Sequence, residues 1–236
     1  MQLEQRPDLP GRTLEMMANA PRYHRWIVRD FRRYLRPPTI EVGCGLGSIT
    51  ELLLEYGTVT ATDIEDDYLK AVRERFRDRA DLTVARLDLR DTAAWQGAGY
   101  ATVVSVNVLE HIEDDRGALA GIYRLLAPGG HLIIQVPAMP ALFGPLDVNL
   151  EHFRRYTKRG LTLKLDEAGF AVREVHYKNL LGAAGWLVYG RLLRRSILPQ
   201  TELRLFDRLV PALDALERLL PRPFGLALVA VGQRPS

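Results

Sequence analysis

Apolar and polar positions alternate along the chain with two different periods, and this alternation predicts strands and helices in regular succession. Short apolar or β-branched runs are typical of buried strands, which we predict at residues 39–42, 58–62, 82–87, 100–106, 131–136, 170–176 and 225–231. Amphipathic or charged segments predict helices at residues 49–56, 66–79, 114–126 and 158–168. Strands that alternate with helices indicate an α/β fold, with a mostly parallel sheet between helices.

Three segments do not follow this succession. Residues 13–36 have helical spacing and end at Pro37-Pro38, which predicts an N-terminal helical segment. Residues 137–157 contain three prolines and predict a long irregular loop at the carboxyl end of a strand, where open α/β sheets bind ligands. Residues 180–220 predict a helical insertion before the last strand.

The helical insertion has three interpretations. It can form a lid or added core over an acceptor pocket, or an interface between two copies of the chain. Alternatively, the apolar residues 180–188, followed by Arg191, Arg194 and Arg195, could rest on an anionic bilayer. The second half of the insertion has a leucine stripe typical of an amphipathic helix, at Leu205, Leu209, Leu213, Leu216 and Leu220.

Composition and charge narrow the class of protein. The 236 residues are 47% hydrophobic, which is enough for one core, so we expect a single domain over residues 1–236. The one cysteine, Cys44, excludes an internal disulfide and a cysteine-built zinc site. No apolar signal core or run of about 20 apolar residues is present, so we expect a cytoplasmic protein, with peripheral membrane contact as an alternative. The net charge of +3 comes without a basic–aromatic module, so no nucleic-acid partner is expected.

Residues that could bind a ligand concentrate at the ends of three predicted strands. Gly43, Gly45 and Gly47 follow the first strand, where the missing Cβ atoms let a ligand approach the backbone. Asp63 follows the second strand and can accept hydrogen bonds from two ribose hydroxyls, while Asp88 follows the third and can accept from an adenine amino group. These tips predict an adenosine-containing ligand. The glycine spacing also differs from the G-x-G-x-x-G of dinucleotide folds.

With these features the chain resembles the class I S-adenosylmethionine-dependent methyltransferases. The matching residues are Glu41-x-Gly43-x-Gly45-x-Gly47, Asp63, Leu87-Asp88, Asn107-Val108-Leu109-Glu110-His111 and Leu126-Ala127-Pro128-Gly129-Gly130. The resemblance spans roughly residues 13–178 and the last strand. It implies a Rossmann-like, three-layer α/β/α fold whose sheet has seven strands, the last of them antiparallel.

The resemblance also implies S-adenosylmethionine as the cofactor and S-adenosylhomocysteine as its product. In such families the glycine loop packs on the methionine part, the residue matching Asp63 holds the ribose and the one matching Asp88 faces the adenine. Residues matching Asn107 and Val108 lie near the sulfonium. The implied cofactor site further includes Glu41, Cys44, Ile64, Leu87, Leu89 and Tyr23.

Three of these residues have a second interpretation. Glu41 can contact the ligand or support the loop as a buried, paired acid. Cys44 is interpreted as a small loop side chain, because no histidine–acid arrangement around it indicates an activated nucleophile. Tyr23 either closes over the cofactor or packs in the core.

The segment after the fourth strand bears on the acceptor. Asn107-Val108-Leu109-Glu110 lacks the Asn/Asp-Pro-Pro-aromatic motif of the methylases that act on nucleic-acid bases. This favours the small-molecule branch, with a small or lipid-like acceptor methylated at oxygen. Methylation at carbon or nitrogen, a nicotinamide-dependent oxidoreductase and a non-catalytic cofactor-binding module are the alternatives.

A hydroxyl acceptor must lose its proton, and histidine suits that role near neutral pH. His152, in the long loop, is the first candidate for the base, with a loop-anchoring hydrogen bond as its alternative, and His111 is the second candidate. Arg154, Arg155 and Tyr156 could clamp an anionic group of the substrate, or could pack the loop. No metal ion is predicted at this site.

Overall fold

The computed structural model describes residues 9–91, 95, 98–186, 200–219 and 221–236. Its strands are β1 (Thr39–Val42), β2 (Val59–Asp63), β3 (Leu82–Arg86), β4 (Tyr100–Val106), β5 (Leu126–Pro137), β6 (Ala171–Lys178) and β7 (Ala227–Gln233). Its α-helices are α1 (Leu9–Ala18), α2 (Pro21–Phe31), α3 (Ser48–Leu53), α4 (Asp66–Arg75), α5 (Asp115–Leu125), α6 (Pro145–Asn149), α7 (Lys158–Glu167), α8 (Leu180–Trp186) and α9 (Gln200–Leu219).

The seven strands form one sheet in the order β3-β2-β1-β4-β5-β7-β6. β1 to β5 pair in parallel, and β7 runs antiparallel between β5 and β6. This confirms the predicted seven-stranded, mostly parallel sheet with an antiparallel last strand. The strand order reverses between β1 and β4, and open α/β sheets bind ligands in the crevice at such a point.

The apolar strands are explained by helices on both faces of the sheet. Val103 of β4 packs in a core cluster with residues of α5 and α7, whereas its neighbour Val104 packs on the other face with residues of α2 and α3. Successive side chains of a strand point to opposite faces, so a strand buried on both sides is apolar at every position. This core holds the carboxyl ends of β1, β2 and β4 beside one another.

The structure corrects two of the predicted strand boundaries. The segment containing Pro128-Gly129-Gly130 lies inside β5 rather than in a turn before it, because Gly129 N–H donates to Arg234 O and Gly130 O accepts from Arg234 N–H. The pairing of β5 with β4 shifts there, which accommodates the extra residues. The last strand runs over Ala227–Gln233 instead of residues 225–231.

The segment 137–157 is less irregular than predicted. It contains a 3₁₀ turn at Pro140–Leu142 and the short helix α6, each with a proline at its start. Proline fits the first turn of a helix because its missing N–H would have no partner there. The loop prolines therefore begin helical turns as well as interrupting regular structure.

The predicted insertion contributes α8 and α9. Residues 187–199 and 220 lie outside the described residues, and so does the basic segment with Arg191, Arg194 and Arg195. α9 packs on α2 in the described part of the chain. Within the described ranges, no helix is both long enough and apolar enough to cross a bilayer.

Candidate functional site

The glycine loop between β1 and α3 depends on backbone angles that favour glycine. Gly43, Gly45 and Gly47 have φ values of 76°, 49° and 79°. The N–H groups of Gly43 and Cys44 donate to the carbonyl of Thr62 in β2, at 2.8 and 2.9 Å. A Cβ atom at Gly43 would overlap Val108 Cγ2, so the loop lies directly against the segment that follows β4.

Asp63, at the end of β2, ties this loop to the next one. Its Oδ2 accepts from Gly45 N–H at 2.8 Å, and its Oδ1 accepts from the N–H groups of Ile64 and Glu65 at 2.8 and 3.1 Å. A carboxylate has about four lone-pair positions, of which the backbone uses three. The side chain is nearly buried and keeps one position on Oδ2 for a ligand hydroxyl.

Glu41, in β1, forms a hydrogen bond that supports the loop. Its Oε2 accepts from the hydroxyl of Thr50 in α3 at 2.5 Å, so the carboxyl joins the strand before the loop to the helix after it. Burial raises the pKa of Glu41 to about 8, with a smaller contribution from Asp63, while the Thr50 hydrogen bond acts in the opposite direction. These contacts favour loop support, which is one of the two interpretations drawn from the sequence.

We expect Glu41→Gln to reduce the loss of stability that accompanies a rise in pH from about 4.3 to about 8. Between about pH 4.3 and the folded pKa, the folded chain holds a proton that the unfolded chain has released, so the free energy of unfolding falls as pH rises. Glutamine keeps an oxygen for Thr50 and does not titrate. Urea unfolding at several pH values checks this, with the exposed Glu55→Gln as the control. An unchanged pH slope for Glu41→Gln would contradict it.

Cys44 lies buried in the loop with its Sγ 3.8 Å from Gly45 O. Burial raises the pKa of its thiol far above the ordinary value, with smaller contributions from Glu41 and Asp63. A neutral, enclosed thiol is a poor nucleophile. This is in keeping with the interpretation of Cys44 as a small loop side chain.

Asp88, which follows β3 and was predicted to accept from an adenine amino group, is already paired with Arg90. Arg90 donates from Nε and Nη2 to the carboxylate of Asp88, with the shortest contact at 2.6 Å between Nη2 and Oδ2. Arg90 holds the pKa of Asp88 below its usual range, although partial desolvation opposes this. A ligand amino group would share the Asp88 oxygens with Arg90. Leu87 and Leu89 are buried on either side, whereas Ile64 is exposed at the neighbouring tip.

Asn107 and Val108 follow β4 opposite the glycine loop. Asn107 has a left-handed backbone, with φ 55°, and its N–H donates to Gln135 O at 2.9 Å. Asparagine tolerates this conformation better than most residues. Gln135 is buried, and neither of its side-chain polar atoms has a hydrogen-bond partner among the described residues. Val108 contacts the loop at Gly43, so these residues border the crevice at the reversal of strand order.

The N-terminal helices approach this crevice. A Cβ atom at Gly45 would lie 2.9 Å from Leu14 of α1, so α1 covers the glycine loop. Tyr23 of α2 is partly buried, and its ring lies 5.8 Å from that of Phe206 in α9. Burial raises the pKa of its hydroxyl to about 12, while the neighbouring Gln135 opposes the shift. Tyr23 thus touches both the core and the edge of the crevice. No local pattern indicates that Leu14 would lie against the glycine loop.

His152 is held by a buried ion pair. Its Nδ1 lies 3.0 Å from Asp147 Oδ1, which also accepts from Arg155 Nε at 2.7 Å. Burial opposes ionisation, but hydrogen bonds from His152 and Arg155 hold the pKa of Asp147 below its usual range. An ionised carboxylate can only accept hydrogen bonds, so we assign the Nδ1–H tautomer to His152. Its Nε2 is then free to accept a proton.

Glu110 and His111 face this nitrogen. Glu110 Oε1 lies 3.9 Å from His152 Nε2, and the rings of His111 and His152 meet edge to face with centroids 4.8 Å apart. Glu110 is fully buried, neither carboxyl oxygen has a hydrogen-bond partner among the described residues, and burial raises its pKa to about 8. Desolvation and the neighbouring His152 lower the pKa of His111. Glu110, His111 and His152 bring ligand atoms within 4.8 Å of one another and could hold a divalent ion.

Arg154, Arg155 and Tyr156 all have internal partners. Arg155 is buried against Asp147 and lies over the ring of Trp186. The Tyr156 hydroxyl donates to Asp115 Oδ2 at 2.9 Å, and Arg154 pairs with the same oxygen at 2.9 Å. These contacts favour loop packing over a clamp for an anionic substrate. Sequence reasoning missed Asp147, although an acid five residues before a histidine in a proline-rich loop was an available signal.

Comparison with known proteins agrees with this geometry. Residues 40–132 match the family model described as a methyltransferase domain. A ubiquinone biosynthesis O-methyltransferase of Xanthomonas oryzae pv. oryzae is 31% identical over 124 residues, which cover 51% of this chain and 52% of the relative. An uncharacterised methyltransferase of Mycobacterium bovis is 36% identical over 104 residues, covering 44% and 52%. The chain spans about half the length of the curated relatives it matches.

Solved structures share the fold. In the complex between the Haloferax volcanii Trm112 methyltransferase activator and a methyltransferase, the similar chain has a TM-score of 0.66 at 19% identity, covering 98% of this chain and 100% of that one. Haemonchus contortus phosphoethanolamine N-methyltransferase 2, solved with S-adenosylmethionine, has a TM-score of 0.61 at 17% identity, covering 89% and 52%. Such identities show the fold alone. The sheet order and these structures give the chain the fold of the class I S-adenosylmethionine-dependent methyltransferases, and residues 40–132 match the methyltransferase domain model.

Proposed function

We propose that this protein transfers the methyl group of S-adenosylmethionine to an oxygen of a small-molecule or lipid-like acceptor. The observation that carries the proposal is His152, whose Nδ1 is held by Asp147 while its Nε2 faces Glu110 beside the crevice. The curated relative named as an O-methyltransferase of ubiquinone biosynthesis supports oxygen as the methylated atom. Nucleic acid is not part of the proposal.

The crevice has the form that this cofactor requires. The glycine loop presents backbone without Cβ atoms, and Asp63 keeps one acceptor position for a ribose hydroxyl. Glu41 supports the loop from β1, and Asn107 and Val108 border the crevice from β4. When bound, the cofactor supplies an electrophilic methyl group on a positively charged sulfur.

The chain's own residues would then position the acceptor and remove its proton. A displacement at carbon needs the acceptor oxygen close and in line, at roughly 3 Å, so the walls of the crevice contribute by orientation. His152 accepts the hydroxyl proton at Nε2, and the ionised Asp147 stabilises the imidazolium that forms. Glu110, with its raised pKa, stays protonated below about pH 8 and does not compete as the base.

Carbon and nitrogen acceptors are the second candidate. The solved structures with this fold include one titled as a carbon methyltransferase and another titled as an N-methyltransferase. A carbon or amine acceptor that is already nucleophilic would not need His152 as a base. A nicotinamide oxidoreductase and a non-catalytic cofactor-binding module are the further alternatives.

Titration calorimetry with S-adenosylmethionine and S-adenosylhomocysteine tests cofactor binding directly. We expect both to bind, and reduced nicotinamide cofactors not to bind. Transfer of ¹³C-labelled methyl to a cell extract, followed by NMR of the purified product, then separates oxygen from carbon and nitrogen acceptors, because the chemical shift of the methyl carbon depends on the atom that it is bound to. Binding without any transfer would leave a cofactor-binding module, and no binding would remove the proposal.

His152→Ala is expected to lower turnover by about a hundredfold or more, because general-base catalysis contributes at least that much. Cofactor affinity should stay within about twofold, since Asp147 keeps Arg155 as a partner and the glycine loop is untouched. Turnover and calorimetry on the same preparation check this, and His131→Ala, in the first half of β5, is the control. Equal losses of turnover and cofactor affinity would show that His152 anchors the loop instead.

A further inference from the structure

Helix α9 buries acidic side chains and exposes leucines, which is the reverse of the usual amphipathic helix. Asp207, Asp214 and Glu217 lie on its buried side, together with Val210. Asp207 accepts from Tyr23 N–H at 2.9 Å, Asp214 pairs with Arg29, and Glu217 accepts from the N–H groups that begin α8. The acids of α9 therefore anchor it to α2 and α8 through polar contacts.

The opposite side of α9 carries leucines. The exposed fractions of Leu205, Leu209, Leu216 and Leu219 are 59%, 47%, 43% and 83%. At 100° per residue these side chains fall within an arc of about 80°, so they form one continuous stripe. A helix of this length extends over roughly 30 Å, which makes the stripe long and narrow. Fully packed helices place such a stripe against the core instead.

The exposed charges beside this stripe are all basic, whereas Glu202, in the first turn of α9, is partly buried. Arg204 and Arg208 are exposed along one edge, and neither has an ion-pair partner within the described ranges. Between Thr201 and Leu219, none of the exposed side chains is acidic. Arg218 is also exposed, although it pairs with Asp214 at 3.1 Å. We call this surface, from Arg204 to Leu219, the leucine–arginine face.

We propose that the leucine–arginine face docks on the surface of an anionic phospholipid bilayer. A helix that lies in a membrane interface needs an apolar stripe at the acyl boundary and cations at the level of the headgroups, and this face presents both. Because Asp207, Asp214 and Glu217 are buried, the face presents no exposed acid that would be repelled by anionic lipid. The sequence adds Arg191, Arg194 and Arg195 shortly before α9, and the exposed Phe224 follows it closely along the chain.

The position of α9 links this surface to the crevice. The backbone N–H of Tyr23 donates to Asp207, and the ring of Tyr23 contacts Phe206 of the same helix. Docking would thus place α2 and the edge of the crevice near the lipid surface, where a lipid-like acceptor resides. The inference goes beyond the proposed methyl transfer, and it concerns binding that needs neither cofactor nor acceptor.

The test is sedimentation of the full chain with vesicles of phosphatidylcholine alone or mixed with phosphatidylglycerol. We expect binding to the anionic vesicles, a much weaker association with neutral ones, and a decrease with added salt. The double variant Leu209→Glu/Leu216→Glu should lower the partition coefficient at least about tenfold, and Arg204→Gln/Arg208→Gln should reduce the preference for anionic lipid. Leu163→Glu, at an exposed leucine of α7, is the matched control and should bind as the unchanged chain does.

Thermal unfolding and calorimetry with S-adenosylmethionine accompany each variant. Unchanged values show that a loss of vesicle binding comes from the surface, and Leu209→Gln replaces any double variant that does not fold. A thiol introduced by Leu209→Cys, with Cys44 buried, should react with a polarity-sensitive dye whose emission shifts on anionic vesicles. An unreactive thiol would overturn the proposal, because the chain itself would cover the face.

Two further results would overturn it. One is the absence of binding to anionic vesicles, or binding that the leucine variants leave unchanged. The other is a dimer in sedimentation velocity that Leu209→Glu/Leu216→Glu dissociates, which would assign the face to a second copy. Since these measurements use no methyl acceptor, their failure leaves the proposed methyl transfer intact, and the converse also holds.

Discussion

Gly43→Ala is expected to lower the affinity for S-adenosylmethionine at least about a hundredfold, because left-handed backbone strain and overpacking each cost about 1–3 kcal/mol. Gly43 has φ 76°, and a Cβ atom there would overlap Val108 Cγ2. The loop can relieve the backbone strain and the overlap with Val108 only by moving away from β4. That movement would also break the bond from Gly43 N–H to Thr62 O.

Calorimetry with the cofactor and its demethylated product measures this effect. Gly169→Ala is the matched control, since Gly169 has φ 94° and lies two residues before β6, an edge strand of the sheet that is far from the loop in the strand order. We expect this control to lower the thermal midpoint while the cofactor affinity of the folded protein stays unchanged. Full affinity in Gly43→Ala would show that the loop does not form the cofactor site.

Asp147→Ala is expected to lower the free energy of unfolding by about 3–5 kcal/mol, the usual cost of leaving one member of a buried ion pair without its partner. The guanidinium of Arg155 is 1% exposed and donates to Asp147 Oδ1 at 2.7 Å. Gly144 N–H and His152 Nδ1 would lose their acceptor as well. Asp147→Leu/Arg155→Met should recover much of the loss, because no unpaired charge is then buried.

Urea unfolding measures both variants. The pKa of Asp147 is lower in the folded state than in the unfolded state. The ion pair therefore contributes fully to the free energy of unfolding above about pH 3.9, and this contribution is lost as pH falls through the folded pKa. Asp81→Ala, which breaks an exposed pair with Arg79, is the control and should change stability little. A similarly small change for Asp147→Ala would mean that water or another residue replaces the partner.

The sheet and the loop tips were predictable because short-range patterns encode them. A strand buried on both faces must be apolar throughout, as in β4, and a strand that turns through three left-handed positions needs glycine at each. Asp63 could be located for the same reason, since it directly follows a β-branched run. Each of these signals lies within a few residues of the feature that it predicts.

The rest depended on contacts between distant segments. Leu14 covers Gly45, and Asp207 receives the N–H of Tyr23 across 184 positions, so no local pattern announces either contact. The leucine stripe of α9 could be predicted from the sequence. Its exposure to solvent could not, because the stripe does not show that Asp207, Asp214 and Glu217 would hold the opposite side of the helix against the protein. That Arg155 packs the loop rather than binding an anionic substrate likewise followed only from the position of Asp147.

The carboxylate of Asp63 orders the glycine loop in the absence of a ligand. It already holds Gly45, Ile64 and Glu65, so the glycine loop has its final shape before a ligand arrives and little ordering accompanies binding. Leu14 of α1, by contrast, lies against Gly45 from outside the loop, so we expect a ligand that approaches the loop there to displace it. The affinity for a ligand and its residence time would then depend on different elements, the glycine loop and α1. We expect substitutions in the loop to change how tightly a ligand is held, and substitutions of Leu14 to change how quickly one ligand replaces another.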